Sequence, residues 1–273
     1  MTSLKQEMAE VAVITGASSG FGKATAELLA GKGYKVYGIA RRQISHNKIA
    51  YRQGDVRDFE AVREIIRKIF EEEGHIDVLI NNAGMGIGGS LELATTEEID
   101  LQMSTNFNGC VNMCRATLPY MRAARKGKII NLSSIGGLMG LPYQGYYSAS
   151  KFAIEGFSEA LSAEVKRFGI SVSIVEPGDF ATNFTATRRN SEASLNDSDY
   201  GPVFRRSLSI IEDEENGGLK PEVLAQRIVK IVGCRKPRLH YVVANFEQRL
   251  SVLLKRILPG GLFVNILRDY YKS

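Results

Sequence analysis

The stretch VAVITGASSGFG, residues 11–22, decides the fold of this chain. Its first five residues are apolar and rich in β-branched side chains, which is typical of a strand buried on both faces. Three glycines, Gly16, Gly20 and Gly22, follow at once and lead into the helical pattern ATAELLAGKG. Glycines in such a turn let the backbone approach a ligand closely, and the free N–H groups at the helix start attract a pyrophosphate. The stretch therefore predicts the first strand, phosphate turn and first helix of a dinucleotide-binding sheet.

The glycine spacing alone does not establish this function, because it differs from the usual G-x-G-x-x-G. That string occurs later, as GMGIGG at residues 84–89, where it follows the apolar strand pattern IDVLINNAG and predicts a loop beside the site. A glycine-rich turn can also be only a tight connection between a strand and a helix. Further motifs must therefore carry the functional argument.

Strand and helix patterns alternate along the rest of the chain. Strand patterns occur in KVYGIA, IDVLINNAG, KIINLSS and SVSIVEP, and helical patterns at 61–74, 96–121 and about 144–167. Alternation of this kind requires crossover connections, which produce a parallel sheet covered on both faces. We therefore predict an α/β fold with a single Rossmann-type doubly wound parallel sheet, helices on both faces and a C-terminal helical extension.

Two connections have unusual lengths. The residues RRQISHNKIAY, 41–51, leave too little room for a crossover helix after the second strand, so that helix is expected to be missing or reduced to a turn. The segment at about 186–218 is long, polar and punctuated by glycines, which is more than a passive connection needs. It is the predicted lid, and Phe204 within it is expected to close over a ligand.

Composition fits one domain spanning residues 1–273, with 44% apolar and 24% charged residues. The N-terminal MTSLKQEMAE lacks the apolar core of a signal peptide, and no run reaches the roughly 18 apolar residues that span a bilayer. A cytoplasmic location is therefore expected. Cys110, Cys114 and Cys234 are too few for a disulfide framework and predict buried thiols, and the scattered histidines predict no metal site.

The net charge of +5 is unevenly distributed, since residues 220–273 contain eleven basic and three acidic residues. Within this basic extension, FEQRLSVLLKRILPGGLFVNIL alternates basic and apolar residues at helical spacing, which predicts an amphipathic helix. Two interpretations stay open, a cap packed on the body of the protein and a peripheral contact with a membrane surface. The remainder of the chain is slightly acidic, and no nucleic-acid partner is expected.

The end of the second strand indicates which dinucleotide binds. An acidic residue at this place would bind the ribose 2′-hydroxyl of NAD, whereas arginine accommodates the 2′-phosphate of NADP. Here the strand ends in Ala40, Arg41 and Arg42, without a carboxylate. Two guanidiniums can form paired hydrogen bonds with a phosphate, so NADP(H) is the expected cofactor. Arginines that are merely solvated at the surface are the alternative.

The sequence YYSASK, residues 146–151, places a lysine four residues after a tyrosine in a helical pattern. Residues four apart share a helix face, so Tyr147 lies beside Lys151 while Tyr146 points elsewhere. A neighbouring ammonium favours the phenolate and brings the pKa of a phenol toward the working range of an acid or base. Such a pair is usually a simple surface contact, but Ser134 ends a strand thirteen residues earlier, where ligands bind in parallel sheets.

Taken in order, the motifs TGASSGFG, NNAG, NFNG, Ser134, YSASK and EPG resemble the classical short-chain dehydrogenase/reductase family over roughly residues 10–185. The resemblance implies that Tyr147 is the general acid or base, that Lys151 lowers its pKa and binds the nicotinamide ribose, and that Ser134 holds the reacting oxygen. It implies that Asn106 shapes a helix irregularity and holds the water of a proton relay. The SSGFG variant and the C-terminal pattern look similar to the 17β-hydroxysteroid and retinol dehydrogenase-like branch.

The same resemblance implies a cofactor site and a substrate site. The cofactor site would comprise Gly16, Ser18, Ser19, Gly20, Phe21, Gly22, Arg41, Arg42, Asp55, Val56, Asn82, Ala83, Gly84, Tyr147, Lys151, Pro177, Gly178 and Thr182. Neither serine of the phosphate turn is the basic residue that some NADP-dependent members carry, so the preference for NADP rests on the two arginines. Apolar loops predict a substrate site lined by Leu138, Met139, Leu141, Tyr143, Phe180 and Phe184, although ordinary loop packing explains these residues equally well.

The expected activity is therefore NADP(H)-dependent interconversion of a ketone or aldehyde and an alcohol on an apolar substrate, such as a steroid, a retinoid or another lipid. Two alternatives stay open, a 3-oxoacyl reductase and a catalytically silent dinucleotide-sensing regulator. Relatives of this family pair the helices at about 96–122 and 147–168 between subunits, so a homodimer or homotetramer is expected.

Overall fold

A seven-stranded parallel sheet forms the centre of the computed structural model, which describes residues 9–182 and 184–273. Most of the N-terminal segment in which no signal peptide was expected lies outside these residues. Up to residue 81 the chain forms β1 (Val11–Thr15), α1 (Gly20–Gly31), β2 (Lys35–Ala40), β3 (Ile49–Gln53), α2 (Phe59–Glu73) and β4 (Val78–Asn81). As expected, no helix connects β2 to β3 within residues 41–48.

The chain continues with the helices and strands that carry the NFNG, Ser134 and YSASK motifs. These are β5 (Ile87–Gly88), α3 (Thr96–Met103), α4 (Gly109–Ala124), β6 (Gly127–Leu132), α5 (Gly145–Val165) and β7 (Ile170–Pro177). The chain then forms α6 (Phe184–Thr187), β8 (Arg189–Asn190), α7 (Glu192–Asn196), α8 (Tyr200–Asn216), α9 (Pro221–Gly233), β9 (His240–Val243), α10 (Phe246–Ile257) and α11 (Gly260–Tyr270).

The strand order of the main sheet is β3-β2-β1-β4-β6-β7-β9, with every pairing parallel. The order reverses between β1 and β4, and ligands of such sheets bind in the crevice at the carboxyl ends of the strands on either side of a reversal. The α/β fold class predicted from the alternating patterns is confirmed.

Both faces of the sheet are buried, as the continuous apolar run of β1 predicts. Val11 and Val13 face one core cluster, which is completed by residues of α2, α4 and α5. Ala12 and Ile14 face the other cluster, which is completed by residues of α1 and α9. This two-sided core fixes the register of β1, and with it the position of the glycine turn that follows.

The helical pattern over 96–121 is not one continuous helix. Residues Ser104–Asn108 form a π-helical turn between α3 and α4. A helix irregularity at Asn106 was implied by the family resemblance, and the structure places it there.

The C-terminal extension differs from its prediction in two ways. First, α9 and β9 belong to the body of the fold, because Leu224 and Ile228 fill the same core as α1 and because β9 pairs with β7. Second, the amphipathic stretch forms two helices instead of one. Leu258 adopts an extended backbone before Pro259, since proline disfavours helical geometry in the residue before it.

The segment expected to be a lid contains α7, α8 and the short strand β8, which pairs in parallel with β5 of the GMGIGG stretch. Phe204 does not face a ligand site, because it is fully buried and its ring stacks on that of Tyr143. A role of this segment as a lid remains a prediction. Cys110 and Cys114 are buried, but Cys234 is exposed because it lies just beyond the end of α9.

No helix among residues 9–182 and 184–273 combines the length and the apolar character needed to cross a bilayer.

Candidate active site

The glycine turn after β1 is locked to the end of β4. Gly16 has a φ of +64°, which favours glycine, and the Asn82 amide donates hydrogen bonds to the carbonyl oxygens of Thr15 and Gly16 at 2.9 and 3.2 Å. The Thr15 hydroxyl accepts from the backbone N–H groups of Asn82 and Ala83. A Cβ atom on Gly22 would lie 2.4 Å from the Asn82 amide nitrogen, so a larger residue there would break this lock.

The serines of the turn lie at the start of α1. Ser19 is at the N-cap position but makes no capping hydrogen bond with its side chain. Ser18 is half-buried and Ser19 exposed. Phe21 contacts Phe180 edge-on, with 5.0 Å between ring centroids, and so connects the turn to the loop after β7.

The side of the crevice expected to hold the adenosine is basic. Arg41 and Arg42 are exposed immediately after β2, and within the described residues neither guanidinium forms an ion pair. Arg57 hydrogen-bonds Asp55 and holds the pKa of that carboxyl below its usual range, and the charge of Arg41 acts in the same direction. Val56 is buried against α4, where a Cβ atom on Gly109 would come within 2.5 Å of it.

Asn106 lies fully buried in the π-helical turn. Its carbonyl oxygen accepts from the Met85 N–H at 2.9 Å, and its amide nitrogen donates to the Met85 carbonyl at 3.0 Å. The same nitrogen donates to the Ser150 hydroxyl on α5 at 3.0 Å. Asn106 therefore fixes the loop after β4 against the helix that carries Tyr147 and Lys151.

Ser134, Tyr147 and Lys151 come together at the carboxyl ends of β6 and β7. The Ser134 hydroxyl lies near enough to the Tyr147 phenol to lower its pKa. The Lys151 ammonium lies 5.7 Å from the centroid of the Tyr147 ring and donates to the Leu132 carbonyl at 2.9 Å. Tyr146 instead points away, and its hydroxyl donates to the Leu91 carbonyl at 3.3 Å.

The pKa values of these side chains differ from what the spacing of Tyr147 and Lys151 alone predicts. Burial raises the pKa of Tyr147 to about 12, against a smaller lowering by the Ser134 hydrogen bond. Burial also lowers the pKa of Lys151 to about 8. In the protein by itself, desolvation outweighs the effects that lower the pKa of the phenol, and the lowering of the Tyr147 pKa by Lys151 stays a prediction. Tyr147 holds its proton at neutral pH, which is the state that a proton donor requires.

A cavity of about 240 Å³ opens beside these groups. The expected cofactor residues that line it are Phe21, Asn82, Gly84, Tyr147, Lys151, Pro177, Gly178 and Thr182. Ser134 also lines the cavity, whereas Asn106 lies behind it. The cavity therefore joins the catalytic group to the nicotinamide side of the expected dinucleotide site.

Four of the six expected substrate residues line this cavity, namely Met139, Leu141, Phe180 and Phe184. The other two do not. Leu138 packs against the core formed with the C-terminal helices, and Tyr143 packs on Phe204. Leu138 and Tyr143 were expected in the substrate site because they are apolar loop residues, but each packs against other side chains of the protein instead.

One side of the cavity is formed by residues that the sequence did not predict. Asp179, Glu214 and Glu215 contribute carboxylates, and α11 contributes Phe263 and Tyr270. These residues come from elements far apart in the chain, so no local motif brings them together. Only Asp179, two residues after Pro177, lay within reach of a recognised motif.

A second polar cluster lies one helical turn beyond Lys151. His240 Nδ1 is 2.7 Å from Glu176 Oε1 and 3.6 Å from Glu155 Oε2. Burial raises the pKa of Glu155 to about 7. Glu176 also accepts the Tyr241 N–H at 2.8 Å, so the cluster ties β9 to β7. Sequence spacing could not reveal it, because the three residues are distant along the chain.

Comparison with known proteins agrees with this geometry. The family model described as short chain dehydrogenase matches residues 10–193, which is more than half of the chain. The chain belongs to the short-chain dehydrogenase/reductase family. Its classical motifs and its sheet are those that the sequence indicated, and membership makes it an oxidoreductase acting on carbonyl and alcohol groups.

Several curated members of the family are similar to this chain. A 3-ketodihydrosphingosine reductase of Bacteroides thetaiotaomicron is 52% identical, with 96% of this chain and 98% of the relative covered. An NADPH-dependent 3-dehydrocapnine reductase of Ornithobacterium rhinotracheale is 31% identical, over 85% and 87%. Bovine retinol dehydrogenase 8 is 35% identical, over 77% and 68%, in agreement with the likeness to the retinol dehydrogenase-like branch.

Solved structures support the same assignment. A short-chain dehydrogenase from Streptomyces avermitilis has a TM-score of 0.82 and 31% identity, with 97% of each chain covered. A short-chain dehydrogenase/reductase from Burkholderia phymatum, in complex with NAD, has a TM-score of 0.78 and 25% identity, with coverage of 91% and 93%. The short-chain dehydrogenase/reductase fold binds a nicotinamide dinucleotide, and the glycine turn, Asn82 and the Tyr147–Lys151 pair are placed to hold one.

The buried ammonium of Lys151 gives a test of site electrostatics that needs no substrate. Its pKa falls from 10.5 to about 8, so between these values the unfolded chain binds more protons than the folded protein, and the free energy of unfolding rises with pH. We expect Lys151→Met to raise the free energy of unfolding at pH 7 by about 1–3 kcal/mol. It should also flatten the rise between pH 8 and 10 in urea titrations.

Lys230→Met is the matched control, because Lys230 is exposed on α9 and its charge is already solvated. That variant should change the free energy of unfolding by less than about 0.5 kcal/mol at any of these pH values. An equal pH slope in wild type and Lys151→Met would contradict the buried-charge argument.

Proposed function

We propose that the protein is an NADP(H)-dependent reductase that converts a ketone on an apolar, lipid-like substrate to an alcohol, with Tyr147 as the proton donor. The observation that carries this proposal is the meeting of Ser134, Tyr147 and Lys151 in one cavity that is also lined by Phe21 of the glycine turn. An apolar substrate is supported by the cavity residues Met139 and Leu141 and by Phe263 and Leu267 of α11.

The proposed reaction divides the work between cofactor and protein. Phe21, Asn82, Lys151 and Thr182 would hold the nicotinamide dinucleotide, which would supply the hydride for the carbonyl carbon. The Ser134 hydroxyl donates a hydrogen bond to the carbonyl oxygen and orients it, and Tyr147 transfers its phenolic proton to that oxygen. The phenolate must then regain a proton. Lys151, with a pKa near 8, can release one close to neutral pH. Asn106 would position the water that supplies the next proton to Lys151.

One comparison favours long-chain ketones over steroids and retinoids as the substrate. The relative from Bacteroides thetaiotaomicron, named a 3-ketodihydrosphingosine reductase, covers almost the whole chain at 52% identity. We therefore propose a long-chain ketone as the substrate class. A 3-oxoacyl reductase would act on a ketone of similar shape that arrives on a carrier, so reduction of free long-chain ketones would separate the two.

A silent regulator is the alternative from another functional class. It would bind the dinucleotide and turn over no carbonyl compound. The presence of Ser134, Tyr147 and Lys151 in one cavity supports an enzyme, because a sensor has no need of a buried proton donor beside the dinucleotide.

NADP(H) is proposed over NAD(H) because Arg41 and Arg42 are exposed after β2, in the place where an acidic residue would bind the ribose of NAD. The relatives point both ways, since one reductase is NADPH-dependent and one structure holds NAD. The charge of the two guanidiniums therefore carries this part of the proposal.

The proton donor can be tested with neighbouring tyrosines. Tyr147→Phe removes the hydroxyl but keeps the ring, so kcat for ketone reduction should fall by at least about a hundredfold, the usual contribution of acid–base catalysis. NADPH binding, measured by protein fluorescence, should change little. Tyr146→Phe is the control, because the Tyr146 hydroxyl only contacts the Leu91 carbonyl. Equal turnover by the Tyr147 variant and wild type would exclude the proposed acid.

The cofactor preference can be tested at the two arginines. The double variant Arg41→Ala/Arg42→Ala should weaken NADPH binding by about tenfold or more, because it loses charge-assisted hydrogen bonds to the 2′-phosphate. NADH binding should change by less than about twofold, since NADH lacks that phosphate. Arg63→Ala on α2 is a control for loss of surface charge. A parallel loss of affinity for both dinucleotides would overturn the assignment.

The C-terminal helices are proposed to contact the surface of an anionic membrane. Of the eleven exposed large apolar residues in the described part of the chain, eight lie on α10 and α11, namely Phe246, Leu250, Leu253, Ile257, Leu262, Val264, Ile266 and Tyr270. Basic residues of the same segment, such as Arg249 and Arg256, are complementary to anionic lipid. Ile266 and Tyr270 also line the cavity, so a lipid could pass from such a surface into the site.

Vesicle sedimentation tests this contact. Wild type should sediment with vesicles that contain phosphatidylglycerol and much less with pure phosphatidylcholine. Leu253→Glu/Ile257→Glu should lower the bound fraction at least about fivefold, since it places two charges on the apolar face. Val223→Glu, at an exposed apolar residue of α9, should not. If these substitutions instead dissociate a dimer in analytical ultracentrifugation, the face is covered by a second copy, which would fit the expected homo-oligomer.

A further inference from the structure

The cluster of Glu155, Glu176 and His240 has no part in the proposed reaction, although it lies close to the catalytic group. Glu155 is on α5, four residues after Lys151, Glu176 is on β7 and His240 is on β9. One ligand atom of each of the three side chains lies within 4.8 Å of those of the other two. None of the three residues lines the catalytic cavity. The cluster is therefore a separate group of side chains with its own chemistry.

The fold brings these residues together although their spacing in the sequence indicates no metal ligands. In the parallel pairing of β7 with β9, His240 lies opposite Ile174, which is two residues before Glu176. Residues two apart on a strand share a face, so Glu176 and His240 are on the same face of the sheet. Val172 is on that face too, and it packs in one core with Leu161 of α5. The helix that covers this face also carries Glu155.

The carboxylate of Glu155 is buried without a hydrogen bond. Its side chain is 9% exposed, and neither of its oxygens has a hydrogen-bond partner among the described residues. The Ser133 hydroxyl is nearby, but it donates to the Lys151 carbonyl at 3.4 Å. A buried carboxylate is stable only beside a donor or a cation. The free oxygens of Glu155 therefore indicate a position for a cation between it and His240.

Glu176 and His240 provide the other two ligand atoms. Glu176 Oε2 accepts the Tyr241 N–H at 2.8 Å, which leaves Oε1 facing the ring of His240. His240 Nδ1 lies 2.7 Å from Glu176 Oε1 and 3.6 Å from Glu155 Oε2. In a tetrahedral zinc site with bonds of about 2.0–2.1 Å, neighbouring ligand atoms are about 3.3 Å apart. Small movements of the side chains are therefore enough to form such a site.

The balance of charge also favours a divalent cation. A protonated His240 would compensate for only one of the two buried carboxylates. The charge of Glu155 acts on the Lys151 ammonium, but no lysine or arginine in the described part of the chain lies within 4 Å of Glu155 or Glu176. A divalent ion bound by a neutral His240 would balance both carboxylates.

Glu159 is placed to orient the ring of His240. A histidine that binds a metal through one ring nitrogen usually donates the N–H of the other to a carboxylate or a carbonyl. Glu159, four residues after Glu155 on α5, lies 3.4 Å from His240 Nε2. It would accept the Nε2 proton and leave the Nδ1 lone pair for the metal. The His240 side chain is 37% exposed, so a cation can reach the cluster from solvent.

We propose that Glu155, Glu176 and His240 bind a Zn²⁺ ion. An imidazole nitrogen together with carboxylate oxygens suits Zn²⁺, whereas Mg²⁺ prefers oxygen ligands alone. Water would complete the coordination on the solvent side. The ion would join α5 to β7 and β9 and so stabilise the helix that carries Tyr147 and Lys151. This site does not depend on the proposed reductase function.

Titration of the full-length protein with ZnCl₂ tests the proposal after dialysis against EDTA and then against metal-free buffer. Isothermal titration calorimetry should give a stoichiometry of one Zn²⁺ per chain. At a free Zn²⁺ concentration about a hundredfold above the dissociation constant, Tm should rise by about 5 °C or more, because the ion binds the folded chain in preference to the unfolded one. Mg²⁺ at the same concentration should produce neither effect.

Variants of the ligands locate the bound ion. Glu155→Gln keeps the shape of the side chain but removes its charge, and His240→Gln removes the imidazole. Each should weaken Zn²⁺ binding by at least about a hundredfold and abolish the rise in Tm, whereas Glu159→Gln should weaken binding by only about tenfold, as expected for a partner that orients a ligand. The metal-free Glu155→Gln protein should melt no lower than metal-free wild type, because the substitution removes a buried charge. Its failure to bind would then not reflect misfolding.

Two controls separate this site from other Zn²⁺ ligands. His75 Nε2 lies 3.3 Å from a carboxylate of Asp77 that is already paired with Lys126, so His75→Gln should leave Zn²⁺ binding unchanged. Cys234 is an exposed thiol, and Cys234→Ser should also bind one Zn²⁺.

The outcomes are distinct. If His240 only forms an ion pair with Glu176, wild type will show neither heat nor a shift in Tm with Zn²⁺, and the proposal is overturned. Binding that persists in Glu155→Gln and His240→Gln, or that is lost in Cys234→Ser, overturns it as well. None of these measurements involves ketone reduction, so a failure of the proposed reductase function would leave the zinc site untouched.

Discussion

The hydrogen bonds between Asn82 and the backbone of Thr15 and Gly16 are the constraint on which the rest of the site depends. They join the ends of β1 and β4 at the point where the strand order reverses, so the crevice has a fixed width. The absence of a side chain at Gly22 allows this contact, because a Cβ atom would occupy the space of the Asn82 amide. These hydrogen bonds position the phosphate turn and the loop after β4, and that loop in turn positions Asn106.

Asn106 extends this framework toward the catalytic group. Its bonds to Met85 and Ser150 connect the loop after β4 to α5, and the π-helical turn allows its side chain to reach both. Tyr147 and Lys151 are consequently held at a buried place where desolvation governs their ionisation. Burial keeps the Tyr147 phenol protonated and lowers the pKa of the Lys151 ammonium, which therefore releases its proton more readily. The same desolvation that destabilises the folded chain prepares these groups for proton transfer.

Local sequence patterns predicted the parts of the structure that depend on local interactions. The apolar run of β1, the glycine turn and the four-residue spacing of Tyr147 and Lys151 each determine geometry within a few residues, and each was predicted correctly. The carboxylates of Asp179 and Glu214 were missed because only tertiary packing brings them to the cavity, where Gln248 of α10 donates to Asp179 and Tyr270 of α11 donates to Glu214. Tyr143 was predicted to line the substrate site, and the structure differs for a related reason. An apolar loop residue can line a site or pack against another element, and here the Tyr143 ring stacks on Phe204. The C-terminal stretch was correctly predicted to be amphipathic and helical, but it forms two helices instead of one. Pro259 disfavours helical geometry at Leu258, and this effect outweighs the helical periodicity.

The cavity is built from two stretches of chain that are separate in sequence. The family match ends at residue 193, and Ser134, Tyr147 and Lys151 lie before that point, whereas Glu214, Phe263 and Tyr270 lie after it. Mutations in the later stretch can therefore reshape what the enzyme accepts without disturbing how it reacts. Evolution can in this way recruit one catalytic apparatus for new metabolites by diversifying the final third of the gene.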